Sequence, residues 1–261
     1  MIPIGDSPGR RTTPWVTYAI ILANVAIFLY MLSLSTATPP PRTIAYTRAA
    51  DALADGACYG FPAAPSDSDQ FVCKFAFQPK EFFDNLKGVS DVSRPDRPII
   101  LISILTGLFL HAGWLHLGGN MLFLWVFGDN VEDRLGHAGY LLFYLVAGMV
   151  AALAQGLIQP ASLVPVLGAS GAIAAVLGAY IVYFPRASIR VVIPFFILLF
   201  IPIPVPAWLM IGLWFVQNLF AGFASVNQAA SPDTSVAFFA HIGGFVFGMA
   251  TAVALVRRAR R

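Results

Sequence analysis

Two histidines, a serine and an asparagine are the residues of this chain whose types and spacing could do chemistry. His116 and Asn120 are four apart, so any helix that carries them presents both on one face. Ser170 stands in Gly168-Ala169-Ser170-Gly171, and His241 in Ala240-His241-Ile242-Gly243-Gly244. All four interrupt apolar stretches, where strongly polar groups are costly and therefore mark candidate functional positions. A serine hydroxyl becomes a nucleophile when a neutral imidazole takes its proton. The tetrahedral intermediate of acyl transfer then needs hydrogen-bond donors at its oxyanion. Ser170 and His241 could supply nucleophile and base; His116, Asn120 and the Ser170 backbone N–H could supply the donors. Such a set calls for no metal and no cofactor. Gly168, Ala169 and Gly171 would let backbone and substrate approach closely. Gly244 and Gly248 form a G-x-x-x-G step expected to pack the last helix on Gly171 and Gly178.

Taken singly, each feature has a plainer explanation. Small residues are common in membrane helices, so a lone G-x-S-G says little. A lone intramembrane histidine more often packs or relays protons, and His116 with Asn120 could be interhelical glue. His111, just before the second apolar helix, is expected to be a hydrogen-bonded structural residue, and His137 a solvated one in a turn. No acidic residue lies in the outer halves of the apolar segments, so a Ser–His dyad is expected rather than a Ser–His–Asp triad.

The elements that must position these residues are membrane helices. The chain has 261 residues, of which 58% are apolar and only 11% charged. Soluble domains carry roughly 25% charged residues, and a chain so poor in charge cannot cover a water-facing surface. The basic balance is small, a net +3, and Arg257, Arg258, Arg260 and Arg261 exceed it alone. That pattern fits orientation in a membrane better than nucleic-acid binding. Apolar runs near the length of about 20 residues needed to cross a bilayer predict an all-α polytopic protein with six spans at 15–34, 113–132, 140–158, 168–184, 206–223 and 236–256. A polar cytoplasmic segment (1–14) precedes them. A long outer loop with short interfacial helices (35–112) separates the first two. Residues 185–205, with Pro194, Pro202 and Pro204, are expected to form a cytoplasmic or interfacial loop, 224–235 a mobile outer cap, and 257–261 a basic cytoplasmic tail.

Charge supports this count. Six spans put Arg10, Arg11, Arg134, Arg186, Arg190 and the terminal arginines on one side, while 159–167 and 224–235 carry no Lys or Arg. A seventh span at 191–205 would move the terminal arginines outside. With the N-terminus inside, the second, fourth and sixth spans all run inward. His116, Ser170 and His241 then fall within roughly 10 Å of the outer end, at about 1.5 Å rise per residue. That shared depth is what unaffiliated packing residues would lack.

At this point the sequence resembles the rhomboid intramembrane serine proteases. The stretch His111-Ala112-Gly113-Trp114-Leu115-His116-Leu117-Gly118-Gly119-Asn120-Met121 is similar to the family's second-helix motif. Gly128 and Glu132-Asp133-Arg134-Leu135-Gly136 continue it, and G-x-S-G and A-H-x-x-G follow in the family's order. The resemblance covers most of 100–256. It implies one rhomboid domain with a six-helix core and a Ser170–His241 dyad that forms an acyl-enzyme. It implies an oxyanion site at His116 and Asn120, and polar contacts from Glu132 and Arg134 that hold the inner end of the second helix. It implies substrates that are single-span or membrane-anchored proteins cut near the outer end of a transmembrane helix, with the fifth span and the 224–235 loop as gate and cap. It implies regulated intramembrane proteolysis, and the compact six-helix form suggests a bacterial plasma membrane. Two departures stand out: Ala174 replaces an aromatic that in some members packs on the histidine, and 35–98 lacks the Trp-Arg pair of some members.

Two other classes compete. A noncatalytic relative would bind transmembrane clients without cutting them, against which stand the intact Ser170 and His241. A transporter or proton channel would need polar residues along a full transmembrane path, and here they stop partway. Finally, Cys58 and Cys73, both in the outer loop with 14 residues between them, are expected to form a disulfide, because an oxidising compartment favours such bonds.

Overall fold

The computed structural model describes residues 2–9, 11–34, 66–87, 100–192, 202–227 and 236–259. The expected Cys58–Cys73 bridge therefore lies outside the described residues at its Cys58 end, as do 228–235 of the expected cap and 193–201 of the expected inner loop. Most of what is described is helical, as the apolar runs demand. Long helices are α1 (Trp15–Ser33), α5 (Trp114–Leu135), α6 (His137–Ile158), α8 (Ala207–Asn227) and α9 (Phe238–Ala259), with the shorter α7 (Ser170–Tyr183) at their centre. Between α1 and α5 lie α2 (Asp67–Phe75), α3 (Pro79–Leu86) and α4 (Ile100–Thr106), followed by one turn of 3-10 helix over Gly107–Phe109.

Among the described residues, four helices are individually long and apolar enough to cross a bilayer: α1, α6, α8 and α9. A fifth crossing results if Ile102–Phe109 and α5, which meet at a bend of 92°, are taken as one broken span. The break falls between Phe109 and Trp114, at the expected start of the second span. The chain is thus an all-α polytopic membrane protein. At about 1.5 Å per residue, α7's 14 residues reach only about 21 Å. It has no need to match the lipid thickness, because Gly171 through Tyr180 are all buried by the surrounding helices.

α7 packs most closely on α9, and the contact is made of absent side chains. A β-carbon at Gly244 would lie 2.1 Å from the Gly171 carbonyl oxygen, and one at Gly248 2.0 Å from that of Ala175. On the other helix, one at Gly178 would lie 2.2 Å from the Phe245 carbonyl oxygen. The expected pairing of Gly244 with Gly171 is present, while Gly248 meets Ala175 and Gly178 meets Phe245. Because lipid gives helices no hydrophobic reason to associate, close backbone approach is what binds them.

Two features of the fold depart from the sequence expectation. The segment 1–14 and the loop 185–205 are not merely irregular. β1 (Ile2–Asp6), β2 (Ser188–Val192) and β3 (Ile203–Pro206) form an antiparallel sheet in the order β1-β2-β3. Ile2 stands opposite Val192 and Asp6 opposite Ile189. Pro204, one of the prolines expected to keep this loop irregular, lies with Pro3 and Pro206 on the two edge strands, where a missing donor is tolerated. Ile189 and Val191 of the central strand are fully buried. Asp6 anchors the sheet to the bundle, accepting hydrogen bonds from Asn130 Nδ2 (2.8 Å) and the Tyr180 hydroxyl (2.5 Å).

Glu132 is the second feature. α1 starts after Pro14 with no side-chain cap of its own, which leaves its first N–H groups without partners. The buried Glu132 carboxylate supplies them, accepting from Val16 N (3.0 Å), Thr17 N (2.8 Å) and Thr17 Oγ1 (2.7 Å). Asp133 does the same for the N–H groups of Arg11 and Thr12. His137 Nδ1 lies 2.6 Å from Glu132 Oε1, so this histidine is paired rather than simply solvated. Arg134, expected to make polar contacts, instead lies over the Phe184 ring at 4.9 Å. Glu132→Ala is expected to lower unfolding free energy in detergent by at least about 2 kcal/mol, since several buried donors lose a charged acceptor. Arg134→Ala should cost less; denaturant titration of both variants checks the order.

Candidate active site

Ser170, His241, His116 and Asn120 are brought together at one end of the bundle by the starts of three helices. Ser170 is the first residue of α7, His116 the third of α5 and His241 the fourth of α9. Ser170 Oγ lies 2.8 Å from His241 Nε2. Because Ser170 opens its helix, its backbone N–H is among the donors that no helical carbonyl satisfies.

The loop before α7 is pinned by the segment between α1 and α5. Phe77 and Val166 exchange backbone hydrogen bonds (3.3 and 2.7 Å), and Gly168 N donates to Gly107 O at 2.8 Å. Gly168 has φ +114, a region that side chains resist, and a β-carbon there would lie 2.8 Å from His116 Nε2 and 3.6 Å from Asn120 Nδ2. Glycine at this place is what lets the serine loop reach the α5 residues. His116 Nδ1 accepts a long hydrogen bond from the Ala112 N–H (3.4 Å). That leaves Nε2 as the protonated nitrogen of the neutral ring, facing Gly168 as a donor. Asn120 is buried and its Nδ2 lies 3.0 Å from His111 Nε2, so one amide hydrogen holds the structural histidine and the other is available. His111 is itself buried, as its expected structural role requires. A cavity of about 20 Å³ adjoins Ser170 between Gly168, Gly171, Ala151 and Val166, room for about one water molecule.

Two polar residues that the sequence reading passed over belong to the same assembly. Gln155 of α6 accepts from Phe239 N (3.0 Å) and Ala240 N (3.3 Å). It thereby caps the first turn of α9, immediately before His241. Asn218 of α8 places Oδ1 2.7 Å from His241 Nδ1. The Trp214 ring lies 5.9 Å from the imidazole, tilted by 39°. So the packing partner missing at Ala174 comes from a different helix. Both amides interrupt apolar spans, and the rule that picked out His116 and Asn120 would have found them as well.

In an arrangement of this kind, the imidazole can take the serine proton as the oxygen attacks a carbonyl carbon. Donors from α5 and from the start of α7 flank the place where the carbonyl oxygen would turn negative. The imidazolium can then return the proton to the leaving amine.

Comparison with known proteins points to one family. The Rhomboid domain model matches residues 100–258. "Rhomboid protein 1, mitochondrial" of Saccharomyces cerevisiae is 34% identical over 157 residues, 57% of this chain and 40% of that protein. "Rhomboid protease GluP" of Bacillus subtilis is 35% identical over 154 residues, 58% of this chain and 25% of that one. "RHOMBOID-like protein 1" of Arabidopsis thaliana is 26% identical over 256 residues, 92% and 53% respectively. The chain thus spans between a quarter and about half of the length of these relatives.

Proposed function

This chain belongs to the rhomboid family, and from that premise we propose that it is an intramembrane serine endopeptidase with Ser170 as nucleophile and His241 as base. The observation that carries the reading is the 2.8 Å contact between Ser170 Oγ and His241 Nε2, made between two helices whose glycine-lined interface holds them in place. Its substrates are membrane-anchored proteins, cut near the outer end of a transmembrane helix, where water reaches the acyl-enzyme. α5, with the break before it, and the buried α7 complete six spans with α1, α6, α8 and α9. Both termini are cytoplasmic and the site opens to the outer face of a bacterial plasma membrane. The test is labelling with a serine-directed fluorophosphonate, run beside cleavage of a single-span model substrate. Labelling and cleavage that both depend on Ser170 support the reading. A folded protein that does neither, or that does both without Ser170, defeats it.

In this reading His116 and Asn120 stabilise the oxyanion, and their loss is graded rather than total. Removing one oxyanion donor typically costs about 10²–10³ in rate. Asn120→Ala should therefore cleave slowly but measurably, with single-turnover rates as the readout. His116→Ala should behave similarly if Nε2–H is the working donor.

A further inference from the structure

We infer that Asn218 is a positioning residue of the site, holding His241 in the one tautomer and orientation that lets it act on Ser170; this rests on the serine protease reading above. An asparagine amide can face its neighbour with either oxygen or nitrogen, and its other partner decides which. Asn218 Nδ2 lies 2.8 Å from the Trp214 carbonyl oxygen, one helical turn earlier. A carbonyl only accepts, so the NH₂ group must point there and Oδ1 must point to His241. Oδ1 only accepts as well, so His241 Nδ1, 2.7 Å away, must carry the hydrogen. In the neutral ring that leaves the lone pair on Nε2, the nitrogen 2.8 Å from Ser170 Oγ. A chain of four groups therefore runs from a backbone carbonyl of α8 through two side chains to the serine. Each link fixes the polarity of the next.

Asn218 is buried at 7% exposure, so water does not compete for these bonds. Trp214, from the same face of α8, stacks obliquely against the ring and limits its rotation. The sequence suggested a dyad because it carries no suitable carboxylate. The geometry instead places a neutral acceptor where a triad would have an acid. A neutral acceptor orients the ring and sets its tautomer, while giving the imidazolium less electrostatic support than a carboxylate does. On its Nδ1 side His241 is thereby held by α8, so the base depends on α8 staying seated against α9.

The test compares Asn218→Leu and Asn218→Asp with wild type and Ser170→Ala, all as full chains in detergent. Leucine keeps the volume and removes the acceptor. Aspartate restores an oxygen toward Nδ1 whether ionised or protonated, and when protonated it also donates to Trp214. Fluorophosphonate labelling of Ser170 reads serine activation without requiring substrate docking. Its rate in Asn218→Leu should fall by between about 10-fold and the roughly 10²–10⁴-fold that a positioned base contributes. The melting temperature should hold, and Asn218→Asp should recover most of the rate. ¹⁵N shifts of the His241 ring should report Nδ1–H in wild type and a mixture of tautomers in Asn218→Leu, a change that a packing role would not produce. If Asn218→Leu does not fold, Asn218→Ser, too short to reach Nδ1, replaces it with the same expectation. Wild-type labelling with an unchanged tautomer, or an aspartate variant as slow as the leucine one, overturns the inference. Labelling that persists in Ser170→Ala instead overturns the protease reading beneath it.

Discussion

Folded Ser170→Ala and His241→Ala proteins are each expected to cleave a single-span substrate at the uncatalysed background rate. The two losses should be about equal and should not add in the double variant, because nucleophile and base act as one unit. The reason is geometric: with Nε2 2.8 Å from Oγ, the serine proton has one acceptor, and removing either partner leaves a hydroxyl that is a poor nucleophile near neutral pH. The pH profile should lose activity on its acid side as imidazolium forms, since a protonated Nε2 cannot accept. Melting temperature separates this from simple packing. Ser170 is only partly buried and its hydroxyl is replaced by hydrogen, so Ser170→Ala should melt near wild type while activity vanishes. Parallel loss of both would mean that the residue holds the helices together instead.

Gly248→Ala is expected to have the second largest effect, and by a different route. Its added methyl group would sit 2.0 Å from the Ala175 carbonyl oxygen and 2.6 Å from that residue's Cα. Those are backbone atoms, so relief requires moving α7 or α9 as a whole. These two helices carry Ser170 and His241, so the displacement is passed to the reacting pair. A misplacement of about 1 Å at a reacting centre can cost roughly 10²-fold in rate. Overpacking of this kind commonly costs about 1–3 kcal/mol. Gly248→Ala should thus lose stability and activity together. Gly212→Ala, where the new methyl group meets nothing within 4 Å, should change neither. Thermal unfolding and cleavage rates on the two variants decide the matter.

The helices and the reacting pair were legible in the sequence because both write local signals. Apolar runs of bilayer length mark α1, α6, α8 and α9, and a serine and a histidine stand out against such runs. The break near His111–Gly113 was visible as well, since the apolar run around it is longer than one span needs and has to divide. Asn218 and Gln155 are visible by the same signal, as amides inside apolar spans. What the sequence withholds is which helix each one faces, and so which partner it holds. The start of α7 was set two residues early, because Gly168 reads as part of an apolar helix and only its positive φ shows it to be the turn before one. The sheet was illegible for a third reason. Ile2–Asp6 and Ile203–Pro206 are short and rich in proline, so each is a poor strand alone. They become strands only through Ser188–Val192 between them.

That sheet also constrains the order of assembly. β1 is made first and its partner β2 follows α7, so the strand must wait while three of the long helices (α1, α5 and α6) and α7 are synthesised and inserted. Contacts between such distant segments come late, because closing a long loop is entropically costly before any bond rewards it. Asp6 is likewise without Tyr180 until α7 is in place. The strand therefore behaves as a latch that can close only once α7 is seated. Deleting residues 2–6 should leave membrane insertion intact, yet shorten the lifetime of the folded bundle, because interactions formed after the rate-limiting step slow unfolding without speeding folding.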